Sequence, residues 1–159
     1  MIGLGCKRIG YVSRKVSAPT IGLRIAGFRH AMDSNDISRK DTLEFCGDLT
    51  DGAFIDSIIA ASPEALICAN DTTAMMLMRS VMQRGIKIPQ DFRMIGIDDV
   101  KIASMAMVPL TSIHQPCRAI GSAAVNTMVR RIENRKMRAH DIQVDVELVV
   151  RDSCGSPKS

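Results

Sequence analysis

Apolar and polar positions along this chain follow two rhythms in turn. Short apolar, β-prone runs stand at RIGYV (Arg8 to Val12), TLEFCG (Thr42 to Gly47), EALICAN (Glu64 to Asn70) and RMIGID (Arg93 to Asp98). Between them the apolar residues recur at helical spacing. Ile21, Ile25, Phe28 and Met32 form one stripe, with Thr20 placed as its N-cap after a polar loop that ends at Pro19. Phe54, Ile55, Ile58 and Ile59 form a second, ended by Pro63. Residues 71–84 form a third, with Gly85 as its stop signal. EALICAN is apolar nearly throughout, as a strand covered on both faces should be. The order βαβαβαβ with short connections predicts an α/β fold, an open, doubly wound parallel sheet with helices on both faces.

Beyond Asp99 the rhythm changes. KIASMAMVP is apolar without period, LTSIH reads as a short strand, and residues 115–135 read as a long helix with Pro116 in its first turn. Ile142, Val144, Val146 and Leu148 alternate with polar residues and predict a strand, and GSPKS is a tail.

Open α/β sheets bind ligands beyond the carboxyl ends of their strands. Asn70 and Asp71 follow the third predicted strand, Asp98 and Asp99 follow the fourth, and Arg24 lies one turn inside the first helix. A guanidinium, a carboxamide and carboxylates on one edge suit a polyhydroxylated ligand, because they supply forked donors, acceptors and one group that does both. Each residue also has a plainer role available. Asp71 at a strand-to-helix junction suits a helix cap, Asp99 a strand end, and Arg24 a surface ion pair.

Composition removes several alternatives. With 46% hydrophobic and 24% charged residues, 159 residues make one globular domain. Four Phe, one Tyr and no Trp are too few for a protein that reads bases by stacking. The net charge of +4 gathers in RRIENRKMRAH, which reads first as a solvated helix end. Five cysteines without a C-x-x-C and three scattered histidines signal neither a disulfide framework nor a metal site, and suit a reducing cytoplasm. No leader and no membrane-length apolar run is visible. No nucleophile elbow or phosphate-binding loop appears, so neither enzyme activity nor a cofactor is expected. A magnesium site at Asp98 and Asp99 is the weaker alternative, because no lysine or glycine-rich phosphate cradle accompanies it.

Three blocks together carry a resemblance: GCKRIGYV with GLRIAGFRHAM, ALICANDTTAM with RSVMQRGIKIPQDFRMIGIDD, and PLTSIHQPCRAIGSAAV with ELVVRDSC. They resemble the lac repressor/galactose repressor family of bacterial transcription regulators, from Gly5 to Cys154. The resemblance implies the later part of a two-lobed, periplasmic-binding-protein-like effector core. Residues 1–104 and 141–150 would form the second lobe, and residues 110–134 would return to a first lobe that is missing here. No helix-turn-helix segment is present, so operator DNA would be reached only through another part of a whole regulator. A fragment of a periplasmic sugar-binding transport protein is the alternative within the same fold.

By the same resemblance, Arg24, Asn70, Asp98, Thr20 and Leu49 would bind a sugar or sugar derivative. Asp71 would cap its helix and order the loop, and Asp99 would support Asp98. Met75, Arg79 and Met105 would lie at a dimer interface. Two departures stand out: Leu49 occupies a region where sugar-binding members often carry an aromatic ring, and Cys6 stands where histidine is common. The unpaired stripe Ile120, Ala124, Met128 and Ile132 predicts a homodimer or an arm-exchanged oligomer.

Overall fold

The apolar runs become the strands of one sheet, and the periodic stretches become the helices against it. In chain order these are β1 (Ile9–Arg14), α1 (Pro19–Asp33), β2 (Thr42–Gly47), α2 (Gly52–Ala60), β3 (Ala65–Cys68), α3 (Asp71–Met82) and β4 (Arg93–Asp98). They continue with β5 (Thr111–His114), α4 (Cys117–Glu133) and β6 (Glu147–Val149). The computed structural model describes residues 1–15 and 19–156. The polar loop just before Pro19 and the last three tail residues lie outside the described residues. Because α1 already includes Pro19, Thr20 sits inside its first turn and does not cap it.

The six strands lie in the order β2-β1-β3-β4-β5-β6. The first five are parallel, and β6 runs antiparallel to β5. After β1 the chain steps outward to β2 and then returns across β1 to β3. The gap between the carboxyl ends of β1 and β3 is therefore a topological switch point, where doubly wound sheets open a crevice.

Two cores flank the sheet. On one face Phe28 and Met32 of α1 pack with Ile9, Tyr11, Ala65 and Ala69. On the other, Ile55 and Ile58 of α2 and Ala74, Leu77, Met78 and Val81 of α3 pack on Val12, Leu66, Cys68 and Met94. Fully burying one such aliphatic side chain contributes about 1.5–3 kcal/mol, so these faces hold the sheet. No helix among the described residues is long and apolar enough to cross a membrane.

Two expectations change here. The strand at Thr111–His114, assigned with residues 110–134 to a missing lobe, belongs to this sheet: β5 pairs with β4 from Ile95↔Thr111 to Asp98↔His114, and with β6 on its other side. Only α4, which has no buried residue, stands away from it. The alternating segment from Ile142 forms a strand only at Glu147–Val149. A strand needs a partner, and the short β5 offers one to three residues alone.

Candidate functional site

Asn70 stands between β3 and α3. Its backbone is extended and its side-chain Oδ1 accepts the Thr73 amide at 2.8 Å, so Asn70 is the N-cap of α3. The cap role expected of Asp71 is corrected accordingly. Asp71 is the first helical residue and is completely buried. One carboxylate oxygen accepts the Ser112 hydroxyl at 2.5 Å, and the other accepts the Val100 amide at 2.8 Å. Asp71 thus holds the loop after β4 from beneath. Gly96 makes room for this: a Cβ there would collide with Asp71 Oδ1 and crowd Leu110. Burial raises the Asp71 pKa, opposed by its bonds to Ser112 and Val100 and supported by the charges of Asp98 and Asp99.

The loop that Asp71 holds turns sharply. Asp98 and Asp99 both have positive φ, 113° and 53°. Such backbone is costly for residues other than glycine and persists where its surroundings enforce it. Here the enforcement is visible. Asp98 Oδ1 accepts Arg24 Nη2 at 3.2 Å and also the Gln115 side-chain amide. Asp99 accepts Arg151 Nη2 at 2.7 Å on one oxygen and faces His114 Nδ1 at 3.0 Å on the other. The Asp99 amide donates to Ser112 Oγ, which links this turn back to Asp71. Burial acts to raise the Asp99 pKa, but the bonds and charges of Arg151 and His114 outweigh it and hold the carboxyl below its ordinary value.

Arg24 projects from α1 across the switch point. Its Nη1 donates to the Ala69 carbonyl at 2.5 Å, beside Asn70, while Nη2 reaches Asp98. Three of the expected ligand groups are therefore gathered at the carboxyl ends of β3 and β4. Each keeps a function open among the described residues: further N–H groups of Arg24, Nδ2 of Asn70 and Oδ2 of Asp98. An open cleft of about 650 Å3 continues from Asp98 past His114, Gln115 and Arg118 toward α4.

Two other expected ligand residues fare differently. Thr20 is exposed at the start of α1, one turn before Arg24. Leu49 is 3% exposed and packs in the core with Ile55, so it cannot offer a face to a ligand. Its apolar side chain in a position next to α2 favours burial over display. Asp98 and Asp99 take separate cationic partners, which leaves no shared carboxylate pair for a divalent ion. Among the described residues no cluster of three potential metal ligands occurs.

Sequence reasoning missed Gln115 and Arg151. Gln115 follows β5 and meets Asp98 only because β5 lies beside β4. Arg151 reaches Asp99 from 52 positions away in the chain. No local spacing announces either.

The Periplasmic binding protein-like domain family matches residues 1–154. The HTH-type transcriptional repressor PurR of Vibrio vulnificus is 33% identical over 158 residues, covering 96% of this chain and 47% of that protein. A LacI family transcriptional regulator from Enterococcus faecium, solved with bound ribose, superposes with a TM-score of 0.85 at 22% identity, over 96% of this chain and 58% of that one. The Lac repressor bound to ONPG superposes with a TM-score of 0.84 at 25% identity, over 96% and 47%. The chain thus spans about half the length of the curated relatives it matches. With its switch-point crevice and its two-faced parallel sheet, it belongs to the periplasmic-binding-protein-like domain family, in the form found in the effector-binding core of lac repressor-type transcription regulators.

Proposed function

We propose that this chain forms one wall of the effector site of a bacterial transcription regulator and performs no catalysis. The effector is a small polyhydroxylated molecule, a sugar or sugar derivative. The observation that carries this reading is the set of open hydrogen-bonding groups on Arg24, Asn70 and Asp98, held on rigid element ends at the switch point. Arg24 donates to ring or hydroxyl oxygens, Asp98 accepts from hydroxyls, and Asn70 donates through Nδ2. Bound ribose in the Enterococcus faecium relative supports a sugar. In a whole regulator, the first lobe would close over the effector, and closure would change the affinity for operator DNA. The site of action is the cytoplasm.

Assembly as a homodimer belongs to the same reading. Arg79 is exposed and Met75 half-buried on α3, while Met105 is 77% exposed beside the exposed Ile102 and Met107. Methionine is enriched in protein interfaces.

Calorimetry of the chain against a panel of neutral and charged sugars tests the effector assignment. Weak binding to at least one sugar is expected, lost in Arg24→Ala and in Asp98→Ala. Binding that survives both substitutions would place the site elsewhere.

A further inference from the structure

We infer that Arg14 selects the effector by charge, so that the molecule bound at this crevice carries an oxyanion, a carboxylate or phosphate, on its sugar frame. The inference rests on the proposed effector-binding reading and adds the chemical class of the ligand.

Arg14 is the last residue of β1 and pairs with Gly47 of β2. On its other side Val12 pairs with Cys68, and the Ala69 amide bonds the Val12 carbonyl. Two residues further along both strands, Arg14 comes level with Asn70. The switch point is therefore flanked by Arg14 on β1 and by Asn70 after β3, with Asp98 one strand beyond. By the alternation of the pleat, Arg14 leaves the strand on the side of Val12, toward α2 and α3.

The side chain of Arg14 is unlike the other partly covered arginines. Arg8, Arg24, Arg84, Arg93 and Arg151 each donate to a carbonyl or carboxylate. Arg14 Nε is shielded from solvent and has no hydrogen-bond partner. No ion pair among the described residues engages its guanidinium either. A shielded N–H donor without an acceptor costs free energy comparable to a lost hydrogen bond. The carboxylates around it do not relieve it: Asp98 is held by Arg24, Asp99 by Arg151 and His114, and Asp48, which follows the strand partner Gly47, forms no ion pair with it among the described residues. The end of β1 beside the switch point therefore carries a positive charge that no carboxylate among the described residues pairs. A neutral hydroxyl would satisfy the hydrogen bond and leave the charge. A carboxylate or phosphate satisfies both, through the forked geometry in which arginine excels.

The test compares glucose, gluconate and glucose 6-phosphate, by calorimetry on the chain and on Arg14→Gln and Arg14→Lys variants. One charged sugar should bind at least roughly tenfold more tightly than glucose, the low end for a hydrogen bond to a charged group. Gluconate and glucose 6-phosphate separate a carboxylate from a phosphate. Arg14→Gln should abolish the preference without lowering the melting temperature, since it removes an unpartnered charge. Arg14→Lys should keep part of it. Equal binding of all three sugars would overturn the charge assignment and leave the effector-binding reading standing. A preference that persists in Arg14→Gln, or a large drop in melting temperature in both variants, would show that Arg14 has another role. Binding of none of the three would overturn the inference and count against the sugar reading beneath it.

Discussion

The carboxylate of Asp71, at the start of α3, accepts the hydroxyl of Ser112, in the middle of β5, at 2.5 Å in the interior of the molecule. This contact ties the helix after β3 to a strand two places away in the sheet. Through the Asp99 and Val100 amides it also fixes the turn that presents Asp98. Removing Asp71 leaves the buried Ser112 hydroxyl and the part-buried Val100 amide without an acceptor, an unsatisfied buried donor costing about 1–3 kcal/mol. Asp71→Ala should therefore destabilise the chain by about 2–4 kcal/mol in urea unfolding, whereas Asp71→Asn, which keeps an acceptor for Val100, should cost less. Gly96→Ala attacks the same contact from the strand below and should cost about 1–3 kcal/mol. Loss of less than half a kcal/mol in Asp71→Ala would show that the contact does not hold the turn.

Asp71 and Asp99 give acid stability opposite signs. The Asp99 pKa is lowered on folding, so its contribution is fully present above the ordinary value of 3.8 and is lost as pH falls through the lowered one. The Asp71 pKa is raised, so the native state binds its proton more tightly, and stability falls as pH rises from 3.8 through the raised value. The stability gap between the native chain and Asp99→Asn should therefore narrow as pH falls below 3.8. The cost of Asp71→Asn should be largest near pH 3 and shrink as pH rises through the raised Asp71 value. Urea midpoints measured from pH 3 to pH 7 for the three proteins check both signs.

Helix α4 displays Ile120, Val125, Met128, Val129 and Ile132, each between 41% and 69% exposed. A continuous apolar helix face is rare on a monomer. Light scattering should give a mass above that of one chain, falling toward it in a Met128→Asp, Ile132→Asp double variant. A monomer mass over a wide concentration range in the unaltered chain would contradict this.

Much of the fold was legible because burial imposes period. The β2 and β4 boundaries at Thr42–Gly47 and Arg93–Asp98 coincide with the apolar runs, and α3 ends two residues short of the expected residue 84. Ile142 to Val146 misled because alternation records what a strand would bury, and pairing decides whether a strand forms. At the site, Arg24, Asn70 and Asp98 were legible as polar residues at strand and helix ends. The exchange of roles between Asn70 and Asp71 was not. Both residue types cap helices, and only the Ser112 and Val100 donors decide which side chain turns inward. Arg14 passed unnoticed because a strand-end arginine is ordinary until its lack of partners is seen.

On the proposed reading, a sugar-type effector meets this chain at the carboxyl ends of β1, β3 and β4. Amide NMR of the labelled chain, titrated with the sugar that calorimetry identifies, tests it residue by residue. The largest shifts should fall at Asn70, Asp71 and Asp98 to Val100 and in the first turns of α1. Arg24→Ala should weaken binding by roughly ten- to a hundredfold, as loss of a hydrogen bond to a charged group implies. Shifts concentrated on α4 or on the outer face of α2, unchanged by Arg24→Ala, would contradict the account.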